Sequence, residues 1–164
     1  MVSTVKMAAQ AGLAATLMFV GASAAWACTQ PASLERLRQE VVREVNATRA
    51  ARRLPPLAQQ VQLNQAAQGH ACWMADMDKP RSHRGKGGSR PSDRARAQGY
   101  PSKYINENIA GGMVVPPKWM VEAWMTSPKH RDNILARKPD HVGVGIAEAR
   151  GQRYWVLVSA NKWR

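Results

Sequence analysis

From Ser33 onward, apolar residues return every three or four positions at Leu34, Leu37, Val41 and Val45, the stripe of an amphipathic helix. Ser33 can cap it. The helix is expected to run to about Arg52, because Leu54-Pro55-Pro56-Leu57 follows; prolines donate no backbone hydrogen bond and disfavour helix before them. A second stripe, Leu63, Ala67, His70, Ala71, Met74 and Met77, predicts a helix that stops before Pro80. Residues 79 to 91, holding Gly85, Gly87, Gly88 and Pro91, predict an irregular loop. Ser92 or Asp93 then opens a short helix that Gly99 ends. Residues 104 to 110 read as extended, and Pro116-Pro117 opens a helix through Trp119, Ala123 and Trp124 that closes near Pro128. Two runs rich in β-formers, 142 to 147 and 154 to 159, flank Gly151 and predict a hairpin. Early helices and a late hairpin predict an α+β domain with helices packed on a small sheet.

The first 27 residues follow a different pattern. A single charge, Lys6, precedes the apolar stretch AGLAATLMFVGASAA and the small-residue pattern Ala25-Trp26-Ala27, which is the form of a cleavable signal peptide. The expected organisation is therefore a leader over 1–27, a short linker over 28–32 and one domain over 33–164, with export to the periplasm or the medium and no transmembrane anchor after cleavage. Cys28 and Cys72 are the only cysteines. An oxidising compartment would let them pair; the alternative is a buried free Cys72 with a lipidated or mobile Cys28.

Charge narrows the partners. The chain carries a formal net charge of +13, and removing the leader with its one lysine leaves +12. Lys79, Arg81, Arg84, Lys86, Arg90, Arg94 and Arg96 face only Asp93 between residues 79 and 96. In an exported protein such a field attracts an anionic envelope polymer or lipid before nucleic acid, and no aromatics interleave with these charges as a stacking platform for single strands would need. Arg81, Arg84, Lys86 and Arg90 are the candidate anion-binding residues. The competing reading is a solvated loop with no specific role.

The candidate chemistry lies in His83, Glu107 and His130. His83 stands in the loop SHRGKGG, where no periodicity explains an imidazole. Glu107 is set in INENIAGG, between isoleucines, where an unpartnered charge would be costly to bury. His130 follows the predicted helix end in TSPKHRDNIL. Two histidines and a carboxylate are suitable ligands for a divalent cation, zinc above others, and equally suitable for general acid and base work. Their spacing is no metal signature, and HExxH, CxxC, P-loop and GxSxG patterns are all absent from the sequence. His70 reads as a core histidine and His141 as an exposed loop residue. Asn46, Arg49 and Asn108 are expected to bond loop backbone, Gly111 and Gly112 to adopt positive φ, and Trp119, Trp124 and Trp155 to lie in the core.

Read in order, VNATR (45 to 49), LPPL (54 to 57), LNQAAQGHACWMADM (63 to 77), SHRG (82 to 85), DRARAQGY (93 to 100), ENIAGG (107 to 112), AWMTSPKHRDNIL (123 to 135), VGVG (142 to 145) and YWV (154 to 156) resemble the bacterial branch of the CAP superfamily. That superfamily comprises the cysteine-rich secretory, antigen 5 and pathogenesis-related 1 proteins. The resemblance spans about residues 33 to 159. It implies an α-β-α sandwich, with a largely antiparallel sheet and a cleft lined by two histidines and two glutamates. On this chain the motifs place the first histidine at His83, the first acid at Glu107 and the second histidine at His130. Where the second glutamate would fall the sequence has Ser127, so a four-ligand protein cage is not expected. The resemblance leaves three functions open: binding of an anionic envelope ligand or lipid, hydrolysis of wall peptide or glycan, and a purely structural cluster.

Overall fold

The computed structural model describes residues 28–78, 82–112 and 114–162; the leader expected over 1–27, together with Lys79 and Arg81, lies outside them. In chain order the elements are α1 (Leu34–Ala50), β1 (Ala58–Gln59), α2 (Val61–Asp76), a 3-10 turn (Lys86–Gly88), α3 (Pro91–Ala97), β2 (Ile105–Gly112), α4 (Pro117–Thr126), α5 (Pro128–Leu135), β3 (His141–Ala149) and β4 (Gln152–Ala160). The sheet order is β1-β3-β4-β2. β2 and β3 run antiparallel to β4, and the two-residue β1 runs parallel to β3.

Side chains on successive strand residues point to opposite faces, and the core divides accordingly. One face carries Val142, Val144, Ile146, Trp155 and Leu157 against Leu37, Val41 and Val45 of α1, Val121 and Trp124 of α4 and Ile134 of α5. The other carries Ala147, Tyr154, Val156 and Val158 against Leu63, Ala67, Ala71 and Met74 of α2 and Ala95 of α3. This is an α-β-α sandwich, as the sequence leads one to expect.

VGVG acquires a structural reason here. Gly143 and Gly145 face α2, and a Cβ on either would lie 2.2 Å from the backbone of Leu63 or Ala67. The helix rests directly on the strand backbone. It also bonds to it: Val144 N–H donates to Asn64 Oδ1 at 2.8 Å, Ile146 N–H to Gln68 Oε1 at 3.1 Å, and Gln68 Nε2 to the Ile146 carbonyl at 2.8 Å. β1 is too short to pair this part of β3, so α2 side chains satisfy groups that would otherwise be buried without partners.

Several expectations hold and others are corrected. Asn46 exchanges hydrogen bonds with the backbone of Leu57, and the buried Arg49 donates to the carbonyls of Pro55, Ile134 and Ala136. Cys28 and Cys72 form a disulfide, which occupies the sulfur that lipidation would need. α3 begins at Pro91, one or two residues before Ser92 or Asp93, with Arg90 N–H donating to Asp93 Oδ2 at 2.9 Å across its first turn. α5 was not expected: Pro128 opens a new helix besides closing the old one, its missing N–H costing nothing at a first helical position. Trp119 is 62% exposed while Trp124 and Trp155 are buried. His141 starts β3 and accepts contact from the Tyr100 hydroxyl at 2.6 Å, so it is no free loop residue. Of the glycine pair at the end of β2, only Gly112 has a positive φ, 151°. Among the described residues no helix is long and apolar enough to cross a membrane.

Candidate functional site

β2 is an edge strand, so alternate residues along it reach the two layers of the sandwich separately. Glu107 pairs with Val158 and points toward α2 and α3, whereas Asn108 pairs with Leu157 and points toward α5. The Glu107 side chain is only 2% exposed. Its Oε1 lies 2.9 Å from His83 Nδ1, and its Oε2 accepts from Arg94 Nη2 at 2.6 Å. An ionised carboxylate only accepts, so His83 Nδ1 is the donor in this contact. The buried charge has the partners it requires.

His70 completes this cluster. It is 1% exposed, its Nε2 lies 2.8 Å from the Ser82 carbonyl, and the same nitrogen is 3.8 Å from Glu107 Oε1. Burial pushes its pKa below the ordinary imidazole value, helped by Arg94 and His83 and opposed by Glu107 and the Ser82 carbonyl. The imidazole is therefore neutral near pH 7. It is a core histidine, but one packed against the site.

On the other face of the strand, Asn108 Nδ2 donates to the His130 carbonyl at 2.9 Å, and Asn133 Nδ2 donates to Asn108 Oδ1 at 2.9 Å and to the Glu107 carbonyl at 3.2 Å. These bonds fix the first turn of α5 against β2 and so place His130. Its pKa is lowered by burial and by the nearby His83. His83 and His130 line one cleft of about 410 Å³, walled by Ile109, Ala110, Met120 and Trp124.

The basic loop divides around this cleft. Arg84 turns back on its own loop, donating to the Gly88 carbonyl at 3.2 Å, and Arg90 leads into α3. Lys86 lines hollows on the far side of α2, away from the cleft. Arg81 lies outside the described residues. Arg94, which holds Glu107, escaped the sequence reading because nothing local separates it from Arg90 or Arg96 and its partner is 13 residues away.

Among the described residues no group of three or more His, Cys, Asp and Glu side chains is arranged to hold a metal ion. Both Glu107 oxygens are engaged, so the carboxylate is not a ready ligand. What the donor chemistry accommodates is a cation held by the two imidazoles and water. The His83 Nδ1–H···Glu107 bond has the form of the outer-shell contact that orients a ligating histidine.

The family profile described as "CAP: Cysteine-rich secretory protein family" matches residues 42–159. An uncharacterized protein of Bacillus subtilis, YkwD, is 34% identical over 119 residues, covering 73% of this chain; the chain spans only 46% of that relative's length. In fold, the chain is similar to an extracellular SCP-domain protein of Bacillus anthracis, with a TM-score of 0.69 and 24% identity over 78% of this chain and 41% of that one. It is also similar to an outer surface protein of Borrelia burgdorferi, with a TM-score of 0.72 and 18% identity over 83% of this chain and 99% of that one. With the profile spanning well over half of the sequence and the sandwich in place, the chain belongs to the CAP, or cysteine-rich secretory protein, family.

Proposed function

We propose that this is an exported binding module whose cleft takes an anionic amphiphile of the cell envelope. The cleft seats the ligand's apolar part against Ile109, Met120 and Trp124, while His83 and His130 meet its head group. The observation that carries the reading is the state of Glu107. With one oxygen bonded to His83, the other to Arg94 and its side chain only 2% exposed, it does not line the cleft, whereas a general base must reach the proton that it abstracts. The volume of about 410 Å³ is that of a small-ligand pocket, and its wall is mostly apolar. A divalent cation belongs to this reading as a group held by His83 and His130, where it would add positive charge for the head group. Export is supported by the Cys28–Cys72 disulfide and by the extracellular and outer-surface descriptions of the similar structures.

Flotation with vesicles tests it. Retention is expected on vesicles containing phosphatidylglycerol, weaker on pure phosphatidylcholine, and lost as salt rises, because a charge-driven contact is screened. Retention that ignores both lipid charge and salt would refute it.

One observation favours a second reading. His130 is kept neutral at ordinary pH and lines the cleft, so it could serve as the base of a hydrolase acting on wall peptide or glycan. That reading requires soluble fragments from purified sacculi, lost in His130→Ala.

A further inference from the structure

The cleft has a floor that its side chains do not account for. Ile109, Ala110 and Gly111 are consecutive, so their side-chain directions alternate between the two faces of the sheet, yet all three line the one cleft. The cleft therefore runs along the edge of β2 itself. The ladder shows which peptide groups it meets. On β3 the backbone of Val142, Val144 and Ile146 bonds away from β4, to Gln60, Asn64 and Gln68. Alternation along each strand then leaves Asn108, Ala110 and Gly112 of β2 bonded to β4, while Glu107, Ile109 and Gly111 face outward.

α4 and α5 cap part of that edge. Asn133 Nδ2 donates to the Glu107 carbonyl at 3.2 Å and Trp124 Nε1 to the Ile109 carbonyl at 3.5 Å. The capping ends there: among the described residues, no bond reaches the Ile109 N–H or the N–H and carbonyl of Gly111. Gly111 is partly exposed and has no side chain to screen them. A donor and an acceptor thus stand side by side on the floor of a mostly apolar cleft, and this is the pattern to which a second backbone adds.

We propose that the cleft binds the carboxyl-terminal end of an extended peptide, added antiparallel to β2 as a short further strand. The inference rests on the anionic-amphiphile reading and names the ligand's backbone. A ligand residue opposite Gly111 exchanges both hydrogen bonds with it. The next lies opposite Ala110, which packs on the α4 side, and turns its side chain to Met120 and Trp124, so it is apolar. The third ends the chain opposite Ile109, its carboxylate accepting from the Ile109 N–H. Only the antiparallel direction carries that carboxylate toward Glu107, whose charge Arg94 counters and beside which His83 stands. A fatty acid has no N–H for the Gly111 carbonyl. A second copy of this chain is disfavoured, because Asn133 and Trp124 leave too short an edge for strand-to-strand pairing and two chains of net charge +13 repel.

Amide proton–nitrogen spectra of the protein titrated with N-acetyl-alanyl-leucyl-alanine test the inference. The peptide is expected to shift the Gly111 amide resonance saturably. Methylating the nitrogen of its first residue, which faces Gly111, is expected to weaken binding at least about tenfold; methylating the leucine nitrogen, which points away from β2, is not. Gly111→Pro, which removes the outward N–H and no bond to β4, is expected to weaken binding similarly while the fold is kept. Octanoate, an anionic amphiphile without an amide, reports on the amphiphile reading alone. If octanoate binds and the two methylated peptides bind alike, the peptide inference is overturned and that reading stands. If neither octanoate nor the peptide saturates up to about 10 mM, both fall.

Discussion

The two layers of this sandwich are built by opposite means. On the α2 side the contact is backbone on backbone, with Gly143 and Gly145 letting the helix down onto β3 and Asn64 and Gln68 bonding it there. On the α1–α4–α5 side the contact is made by large side chains, Val144, Ile146, Trp155 and Leu157 against Val41, Trp124 and Ile134. The site inherits this division. Glu107, held by two charged or chargeable partners, belongs to the first layer; Asn108, held in a neutral amide network, belongs to the second. One edge strand therefore positions two halves of a cleft by chemically different devices, with Asn133 bonding the backbone of Glu107 as well as Asn108.

The difference is broken most severely at Gly145. Gly145→Val must place a Cβ that would sit 2.2 Å from the Ala67 backbone, and neither strand nor helix backbone can yield without losing the Gln68 bonds. The expected loss is about 4 kcal/mol or more, enough to prevent folding in a domain of ordinary stability. Val144→Ala, one residue away on the opposite face, only leaves a cavity and should cost about 1–2 kcal/mol. Urea denaturation of both variants checks the contrast; equal losses would mean that the two layers do not differ as described.

A smaller contrast separates the neighbours on β2. Glu107→Gln keeps the shape but removes the charge from beside Arg94, leaving a largely buried guanidinium without its counter-ion; the expected cost is about 3 kcal/mol. Asn108→Ala removes one donor and one acceptor and strands the His130 carbonyl, for about 1–2 kcal/mol. If Asn108→Ala proved the more damaging, α5 rather than the charge cluster would be the support on which the cleft depends.

What the sequence reveals of this division depends on how local each device is. Helical stripes in α1 and α2 and the β-rich hairpin are legible because their periods are written in consecutive residues. Glu107 is legible because a carboxylate between isoleucines needs an explanation. α5 is hidden, since Pro128 reads equally well as the end of one helix and the start of the next, and β1 is too short to have a period. Trp119 could have been read correctly: Pro117, Val121 and Trp124 form the buried stripe of α4, and Trp119 falls off it. The hold of Arg94 on Glu107 is not legible, because it depends on elements that meet only in the folded chain. The glycines of VGVG mark the strand while concealing the reason for it, which is the helix lying on them.

The smallest effect is the response to acid. His70, in the first layer, and His130, facing the second, both have folded-state pKa values below the ordinary imidazole value, chiefly through burial. A histidine depressed in the folded state binds its proton more readily in the unfolded chain. Stability is therefore full above the unfolded value of about 6.5, falls as pH drops from there toward the folded values and levels off below them, with a slope that cannot exceed about 1.4 kcal/mol per pH unit for each group. Thermal midpoints measured from pH 8 to pH 5 should decline below about pH 6.5 and flatten in part in His130→Gln. They should flatten further in His70→Gln, because His70 lies wholly inside while His130 is half-buried. The Glu107 charge works against the depression at His70, so Glu107→Gln should push that histidine lower still and steepen its share of the decline. A pH profile unaffected by His70→Gln would show that the acid response belongs to the cleft alone, and the two halves of the site would then differ in their protonation as well as in their packing.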